Sequence, residues 1–400
     1  MCWCMQGTKE CKLRILGLFL HDCRYGERIR GDERRFLEIA KRFKDLGAEI
    51  YTLEWSPSLQ RSFFGEQIYT SLEARPPKLK ILWVPYAIIR ALLISLRLKY
   101  DIIYIHNQDF PNMLVGFILK IILRRPFVVV LHWEYKLFEE GCLRNLRQKR
   151  KIFVSLFLLL VSLFVRKIIF PRVDHCFTVS EVVRDHAIRQ LGLNASKITT
   201  SRNGVNSNIF RPYSTGKIYD ACYFGRIDFA QKGIDTLLRV WKQIKDLRSN
   251  SKFVLIGGFQ GQEDYRRLMS SLDKLDLRNN VKVTGFIKDK EIVRLLNMSK
   301  AFVFPTRFDG FALTVLESMS CGLPCIISDT PTMREVYGEV GVFAKPDNYE
   351  DFAKTLTMLL GDENEQKRIG KASREFALRH QWEEVARKEF NILSTLVGKC

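Results

Sequence analysis

The sequence has few of the features that identify a nucleic-acid-binding or membrane-spanning protein. It contains no zinc-finger spacing, no RNP-type aromatic motif and no long unbroken basic run, which are the usual signs of nucleic-acid recognition. Its strongest apolar run, residues 152–165, is fourteen residues long, whereas a helix needs about 20 to span a bilayer. We therefore expect neither a nucleic-acid partner nor a membrane span from this run.

Signals from cysteine are also weak. The ten cysteines are scattered, and the Cys2-x-Cys4 pair has no second pair at zinc spacing. No basic stretch precedes the first apolar run, as a secretory signal peptide would require. We expect a reducing, cytosolic compartment.

Positive charge is in excess and is uneven along the chain. Lys and Arg total 64 against 44 Asp and Glu, which gives a net charge of +20. Residues 1–210 carry 34 basic and 19 acidic side chains, and residues 211–400 carry 30 and 25. The basic first half predicts a polyanionic partner, such as an anionic membrane face or a phosphorylated substrate.

The apolar run at 152–165 has two interpretations. Basic residues flank it on both sides, and an apolar helix with basic flanks can lie in the headgroup region of an anionic membrane. A helix buried between two domains would have the same composition. The runs AIIRALLISLRLKY and MLVGFILKIILRR are similarly apolar and basic, and both interpretations stay open.

Strand-like apolar runs alternate with amphipathic helical stretches throughout the chain. The first half contains LRILGLFL, AEIYTLE, DIIYIHN, PFVVVLHW, DHCFTVS and KITTSRN, and the second half contains YDACYFG, KFVLIGG, VKVTGF, AFVFPT and LPCIISD. This alternation predicts an α/β protein with two doubly wound domains. The length fits two domains of about 200 residues, and the turn-rich stretch NGVNSNIFRPYSTGK predicts the break between them.

The segment YFGRIDFAQKGIDTLLRVW combines cations with a helix start. Gly225 and Arg226 follow a predicted strand, and Lys232 precedes a predicted helix. A guanidinium, an ammonium and a helix N-terminus at the carboxyl edge of a sheet suit a diphosphate, although two solvated surface cations would give the same pattern. The segment has neither the Walker A nor the Gly-x-Gly-x-x-Gly pattern.

The segment FDGFALTVLE contributes two carboxylates. Asp309 lies in a predicted loop, and Glu317 lies in the helix predicted to start near Leu313. Gly310 lets backbone approach a ligand closely, and the helix start directs N–H groups at the same place. Asp309 could accept hydrogen bonds from the hydroxyls of a hexose, and Glu317 from those of a ribose. The alternatives are a hydrolytic acid/base pair, or a capping Asp beside an ordinary helix-face Glu.

These motifs, in their order along the chain, resemble a known family. They are similar to motifs of the retaining glycosyltransferases of family four. The segments are NGV at 203–205, GR at 225–226 with KG at 232–233, FDGFALTVLE and ESMSCGLPCIISD. The similarity covers nearly the whole chain. It implies the GT-B fold, in which two doubly wound Rossmann-like domains face each other across a cleft. The implied parts are an acceptor-side domain at 1–205, a nucleotide-sugar domain at 206–378 and a helix at 379–400 that crosses back to the first domain.

The resemblance also implies roles for matching residues. Arg226 and Lys232 would hold the donor diphosphate, Glu317 the ribose and Asp309 the transferred sugar. His132 would contact the sugar from the first domain, with His106 as a weaker candidate. The implied catalytic residues are His132, Arg226, Lys232 and Asp309. The implied donor-binding residues are Gly31, Asn203, Gly225, Arg226, Lys232, Gly310, Phe311, Ala312, Leu313, Thr314 and Glu317.

The implied reaction is a metal-independent, retaining, front-face hexose transfer without a resident cofactor. The donor would be GDP-mannose or a UDP-hexose, and the acceptor a hydroxyl of a lipid-linked or cell-surface glycan at the cytoplasmic membrane face. The sequence departs from the family at Asp309, where Glu is usual, at Ala312, where Gly is frequent, and in an opening loop with one glycine. The alternatives are a non-catalytic sugar-nucleotide-binding scaffold and a GT-B phosphorylase or epimerase.

Overall fold

The computed structural model describes residues 12–19, 31–54, 70–73, 83–134, 143, 152–259 and 261–398. The chain divides into two compact units. Unit 1 contains the described residues up to Val179, together with Val183–Ser201 and the described residues from Glu383 onward. Unit 2 contains Ser180–Val182 and Arg202–Trp382.

Each unit is built on a parallel sheet. In the described residues, the sheet of unit 1 has seven strands in the order β3-β2-β1-β4-β5-β6-β7, and the sheet of unit 2 has six in the order β10-β9-β8-β11-β12-β13. The strands are β1 (Arg14–Phe19), β2 (Glu49–Glu54), β3 (Thr70–Glu73), β4 (Ile102–Ile105), β5 (Phe127–Leu131), β6 (His175–Thr178), β7 (Ile198–Thr200), β8 (Tyr219–Phe224), β9 (Phe253–Ile256), β10 (Val281–Val283), β11 (Ser299–Phe304), β12 (Cys325–Ser328) and β13 (Val342–Ala344).

Helices connect successive strands. They are α1 (Gly31–Asp45), α2 (Trp83–Arg97), α3 (Phe110–Leu123), α4 (Ile152–Phe164), α5 (Glu181–Leu191), α6 (Ile234–Leu247), α7 (Gln262–Lys274), α8 (Asp289–Asn297), α9 (Leu313–Ser320), α10 (Pro331–Tyr337), α11 (Tyr349–Gly361), α12 (Glu363–Leu378) and α13 (Trp382–Leu396). A π-helical turn, Val165–Ile169, continues α4. Among the helices of the described residues, none is both long enough and apolar enough to cross a bilayer.

The predicted alternation is confirmed, with two additions. All eleven apolar runs form strands. The strand order reverses between β1 and β4 in the first sheet and between β8 and β11 in the second, which is the doubly wound arrangement. The strands β3 and β13 were not predicted. They are four and three residues long, and each lies at a sheet edge.

One inner strand of each sheet is buried over its whole length. The FVVVL of β5 and the FVLI of β9 have every residue buried, as expected for parallel strands covered on both faces. The first predicted helix is also confirmed. Its acidic first turn contains Asp32 and Glu33, and Gly47, with φ +88°, follows its end.

A buried ion pair attaches α13 to α1 within unit 1. The Arg35 guanidinium pairs with the Glu389 carboxylate, and both side chains are buried. The Tyr104 hydroxyl donates to Glu389 Oε2 at 2.9 Å, and the Ser201 hydroxyl donates to Oε1 at 2.5 Å. Burial lowers the pKa of Arg35, but the charges of Glu389 and Tyr104 and the hydrogen bonds to them together outweigh that effect, and the pKa lies above its usual value. The C-terminal helix is therefore held by a fully hydrogen-bonded charge pair.

Candidate functional site

The two predicted donor-binding segments follow neighbouring strands of the second sheet. Strands β8 and β11 pair in parallel, and the strand order reverses between them. The loop at 225–233 follows β8, and the loop at 305–312 follows β11. Because ligands of doubly wound sheets bind at the carboxyl ends of strands where the order reverses, both loops lie where a ligand is expected.

Short hydrogen bonds hold the loop after β8 in shape. The Tyr223 hydroxyl donates to the Arg226 carbonyl at 2.7 Å. Asp228 Oδ1 accepts from the backbone N–H groups of Ala230 and Gln231 at 2.9 and 2.8 Å. The Arg226 guanidinium donates to Asp228 Oδ2 at 2.8 Å and also contacts the Gln231 side chain. Arg226 is thus positioned at the strand end while its side chain stays 40% exposed.

Gly233 fixes the position of Lys232. Its φ of +64° lies in the left-handed region, and a Cβ on this residue would lie 2.1 Å from the Pro305 carbonyl oxygen. Only glycine therefore lets the start of α6 approach the loop after β11 this closely. Arg307 adds a second connection, since it donates to both carboxylate oxygens of Asp235 at 3.1 and 3.0 Å. Burial alone raises the pKa of Asp235, but the Arg307 contacts outweigh it and the pKa is lowered.

Lys232 and Asp309 form an ion pair at this edge. The Lys232 ammonium contacts Asp309 Oδ2, and both side chains are mostly buried. The same ammonium lies 5.2 Å from the centre of the Phe304 ring. Asp309 Oδ1 accepts from the backbone N–H of Ala312 at 3.2 Å. The carboxylate therefore joins the cation of one loop to the backbone of the other.

Ala312 begins α9 in a backbone conformation that favours glycine. Its φ of 60° and ψ of 66° are left-handed, a region that costs a residue with a side chain about 1–2 kcal/mol. The Tyr337 hydroxyl donates to the Ala312 carbonyl at 3.0 Å. Burial raises the pKa of Tyr337 well above its usual value, and the nearby charge of Asp309 adds to this effect. Tyr337 therefore stays a neutral donor that holds this turn.

The start of α9 places the remaining predicted donor residues together. Gly310, Phe311 and Ala312 are buried, and the Phe311 ring packs edge-on against Tyr337 with 5.9 Å between centres. Leu313 and Thr314 form the first turn, where backbone N–H groups have no partner within the helix. The Glu317 side chain is buried one turn later, 3% exposed.

Asn203 lies on a different segment of unit 2. Its neighbour Val205 pairs with Gln381, and the Val205 N–H donates to the His380 carbonyl at 2.9 Å. A Cβ on Gly204 would lie 2.5 Å from the Trp382 nitrogen. Gly204 and Val205 thus lie against the residues just before and at the start of α13.

The predicted residues of unit 1 follow neighbouring strands of its own sheet. His106 follows β4, His132 follows β5, and Gly31 begins α1. His132 Nε2 lies 2.8 Å from the His106 carbonyl oxygen, which can only accept, so Nε2 carries the proton. The His132 N–H donates to Gln108 Oε1 at 2.8 Å. His106 is buried and its ring packs on Phe36, with 5.4 Å between centres, so the more exposed His132 is the better placed to meet a ligand.

The opening glycine has open space around it. Gly31 is exposed, and an added Cβ would meet nothing within 4 Å. Asp32 Oδ2 accepts from the Asn107 amide at 3.1 Å, which ties the start of α1 to the end of β4. The residues of the loop before Gly31 lie outside the described part of the chain.

Three supporting residues were not identified from the sequence. Asp228 and Gln231 hold Arg226, and Tyr337 holds Ala312. Asp228 precedes a turn and could have been recognised by its turn chemistry. Tyr337 has no local signal, because it reaches the site from α10, 25 residues further along the chain. Among the described residues, no three His, Cys, Asp or Glu side chains gather as a metal ion would require.

Two family models match adjacent parts of the chain. The model described as Glycosyltransferase Family 4 matches residues 29–208, and the model described as Glycosyl transferases group 1 matches residues 206–376. The first contains α1 and the second contains both donor-binding loops.

Curated relatives are glycosyltransferases by name. The O-antigen chain mannosyltransferase B of Escherichia coli is 26% identical over 199 residues, 47% of this chain and 51% of that protein. The N,N'-diacetylbacillosaminyl-diphospho-undecaprenol alpha-1,3-N-acetylgalactosaminyltransferase of Campylobacter jejuni is 25% identical over 223 residues, 52% of this chain and 57% of that protein. The match thus spans little more than half of the length of these two relatives.

Solved structures match over nearly the whole chain. Sucrose-phosphate synthase from Thermosynechococcus elongatus superposes with a TM-score of 0.80 and 18% identity, covering 97% of this chain and 100% of that one. Anabaena Alr3699/HepE in complex with UDP-glucose gives 0.75 and 19%, covering 96% and 100%. At this identity the likeness establishes the fold, which is GT-B. With both family models matched over adjacent parts of the chain, the protein belongs to glycosyltransferase family 4.

Proposed function

We propose that this protein is a retaining glycosyltransferase that moves a hexose from a nucleoside-diphosphate sugar to a hydroxyl of a lipid-linked or cell-surface glycan. The observation that carries the proposal is the contact between the two loops of unit 2. Two cations, Arg226 and Lys232, lie in the loop at the carboxyl end of β8. Asp309, in the loop after the neighbouring strand β11, joins Lys232 to the start of α9. A diphosphate needs such cations together with the N–H groups of a helix start.

Binding of the donor exchanges the partners of these charges. Lys232 lies against Asp309, and Arg226 lies against Asp228. Diphosphate oxygens take both cations, after which Asp309 Oδ2 accepts from hydroxyls of the transferred sugar. The buried carboxylate of Glu317, one turn into α9, accepts from the ribose hydroxyls. Asp309 is shorter than the Glu that is usual in the family, so it sets a different depth for the sugar.

The transfer needs little covalent chemistry from the protein. The acceptor oxygen forms a bond to the anomeric carbon on the face from which the diphosphate departs, and the carbon–oxygen bond to the diphosphate breaks. The acceptor proton passes to an oxygen of the departing diphosphate. Arg226 and Lys232 stabilise the negative charge that collects on that group, which is electrostatic catalysis by preorganised charges.

Donor and acceptor classes come from the names of similar proteins. One relative is named as a mannosyltransferase, and another as a transferase to an undecaprenol-diphosphate-linked sugar. One structure of the same fold contains UDP-glucose. We place the activity at the cytoplasmic face of a membrane, with GDP-mannose or a UDP-hexose as donor, no metal and no resident cofactor. A non-catalytic sugar-nucleotide-binding scaffold is the second candidate, because Asp309 replaces the usual Glu.

Donor binding and slow donor hydrolysis test the proposal directly. The purified protein is incubated with a panel of UDP-, GDP- and ADP-sugars, with and without EDTA, and binding is measured by calorimetry. We expect one base to bind and its sugar to be released with the anomeric configuration of the donor, independently of EDTA. Arg226→Ala should lower turnover by about 100- to 1,000-fold, the usual effect of removing one transition-state charge contact.

A matched control tests whether the loss of any arginine of unit 2 lowers activity or only the loss of an arginine at the site. Arg278 is an exposed guanidinium of the same unit that pairs with Asp273 at 2.9 Å. Arg278→Ala should leave donor binding and hydrolysis unchanged, whereas Glu317→Ala should weaken binding of the nucleoside diphosphate. If a donor binds but no turnover occurs, the scaffold function is correct. If no donor binds at millimolar concentration, both functions are wrong.

A further inference from the structure

Helix α4 buries its serine side chains and exposes several large apolar ones, which is the opposite of an ordinary amphipathic helix. Its buried side chains include Ser155 and Ser162, each 1% exposed, whereas Phe157 and Leu160 are 62% and 65% exposed. The exposed side also includes Leu156 and Leu163. A helix on a water-facing surface normally buries its large apolar side chains and exposes its polar ones. The exposed side of α4 therefore carries large apolar side chains.

Two neighbouring helices extend the same apolar character. Helix α2 packs on α3, and α3 packs on the π-helical turn that continues α4. Ile89 and Leu93 of α2 are exposed, and so is Ile121 of α3. We call the resulting surface the apolar face, and its main residues are Ile89, Leu93, Ile121, Phe157, Leu160 and Leu163. Exposed apolar side chains grouped on neighbouring helices in this way are typical of an interaction site.

The same helices carry charge of one sign only. Residues 83–100, 110–125 and 152–172 contain nine Lys and Arg and no Asp or Glu. Six of these cations have exposed side chains: Arg97, Lys99, Arg124, Arg125, Lys167 and Arg172. The occupant of the apolar face must therefore offer both an apolar interior and negative charge around it.

We propose that the apolar face docks on an anionic lipid bilayer, with α4 lying in the plane of the headgroups. Phe157 and Leu160 enter the acyl boundary, and the exposed cations at the helix ends contact lipid phosphates. Helix α4 has thirteen residues, which gives a length of about 20 Å against a hydrocarbon core of about 30 Å. The helix is thus too short to span the bilayer, but it can lie flat in the plane of the headgroups.

A second copy of this chain fits the surface less well. A symmetric dimer places the same patch of both subunits against each other. The exposed cations of one copy would then face those of the other, and no carboxylate on these stretches would compensate them. Like charges brought together in this way oppose association.

Vesicle flotation tests the proposal with the full chain. The protein is mixed with vesicles of phosphatidylcholine alone, or of phosphatidylcholine and phosphatidylglycerol in equal parts, at low and high salt. We expect binding to the anionic vesicles only, and weaker binding at high salt because exposed charges are screened. Phe157→Ser with Leu160→Ser should weaken binding at least about tenfold, because each side chain loses its burial in the acyl boundary. Lys167→Gln with Arg125→Gln should weaken it about fivefold per charge.

The control variant removes apolar side chains of equal exposure elsewhere. Leu247 and Met358, in unit 2, are 68% and 67% exposed, and Leu247→Ser with Met358→Ser should leave vesicle binding unchanged. Equal binding of the wild type to neutral vesicles, or unaltered binding of the Phe157/Leu160 variant, would overturn the proposal. So would a dimer, detected by sedimentation, that the Phe157/Leu160 variant abolishes.

This inference extends the proposed membrane location, and its failure is distinguishable from failure of the proposed transferase activity. Donor hydrolysis uses a soluble substrate and residues of unit 2, so the Phe157/Leu160 variant should hydrolyse donor at the wild-type rate. Loss of hydrolysis in Arg226→Ala should in turn leave vesicle binding intact. Each experiment therefore reports on one proposal alone.

Discussion

Gly233→Ala tests whether the close approach of the two loops of unit 2 builds the site. The new Cβ has two costs. A left-handed φ costs a residue with a side chain about 1–2 kcal/mol. The distance of 2.1 Å to the Pro305 carbonyl oxygen forces backbone to move, and such overpacking costs about 1–3 kcal/mol more.

Gly285→Ala is a matched control for the cost of the left-handed backbone conformation. Gly285 belongs to the same unit and has φ +67°, but an added Cβ would meet nothing within 4 Å. A domain of about 150–250 residues loses about 2–4 °C of Tm per kcal/mol. We therefore expect Gly285→Ala to lower the Tm of unit 2 by about 2–8 °C, from the backbone cost alone. Gly233→Ala should lower it by about 4–20 °C, from both costs.

Scanning calorimetry measures these shifts, and nucleotide binding at a temperature below both transitions supplies the second readout. Moving Gly233 away from Pro305 also separates Lys232 from Asp309, so Gly233→Ala should weaken nucleoside-diphosphate binding while Gly285→Ala does not. Equal Tm shifts in the two variants would refute the steric argument. Wild-type nucleotide affinity in Gly233→Ala would refute the link from loop approach to donor binding.

Three further predictions concern stability. Ala312→Gly relieves a left-handed φ of 60° and should raise stability by about 1 kcal/mol, seen as a higher calorimetric Tm; an unchanged or lower Tm would contradict this. Glu389→Gln leaves Arg35 without its buried counter-charge and should lower the free energy of unfolding by about 3–5 kcal/mol. Arg35→Met with Glu389→Leu should lower it clearly less. Equal losses of unfolding free energy, measured by urea unfolding, would contradict the charge argument. Burial raises the pKa of the Cys222 thiol to about 12, so above its unfolded pKa the unfolded state releases a proton that the folded state keeps. Stability should therefore fall with rising pH from about pH 9, by about 1.4 kcal/mol per pH unit for this group alone, and a Tm that stays constant up to about pH 10.5 would disprove it.

The sheets were predictable because their signal is local. The fully buried strands are continuous apolar runs, as in FVVVL and FVLI. Burial on both faces of a parallel sheet requires this composition wherever the strand lies in the fold. Among the edge strands of the described sheets, β7 and β10 were predicted and β3 and β13 were not. Strand β3, TSLE, contains a single apolar residue, so no apolar run marks it.

The charged residues of the candidate site were predictable from the sequence, whereas the contacts between them were not. Arg226, Lys232, Asp309 and Glu317 stand out in sequence, because charged residues in the loops and first helical turns after parallel strands lie at a known edge of the sheet. The contact between Lys232 and Asp309 spans 77 residues of chain, and that between Tyr337 and Ala312 spans 25. These pairs follow from strand order and helix packing, so no local pattern contains them.

By itself, the sequence determined the strand and helix segments, the two doubly wound sheets and the residue types at their carboxyl edges. Only the tertiary structure decided which side of an apolar helix faces inward. The sequence of α4 shows two serines among large apolar residues, and this pattern is compatible with either side being buried. Packing turned Ser155 and Ser162 inward and left Phe157 and Leu160 outside. The physical reason is that side-chain polarity is a property of one residue, whereas burial depends on the elements that pack against it.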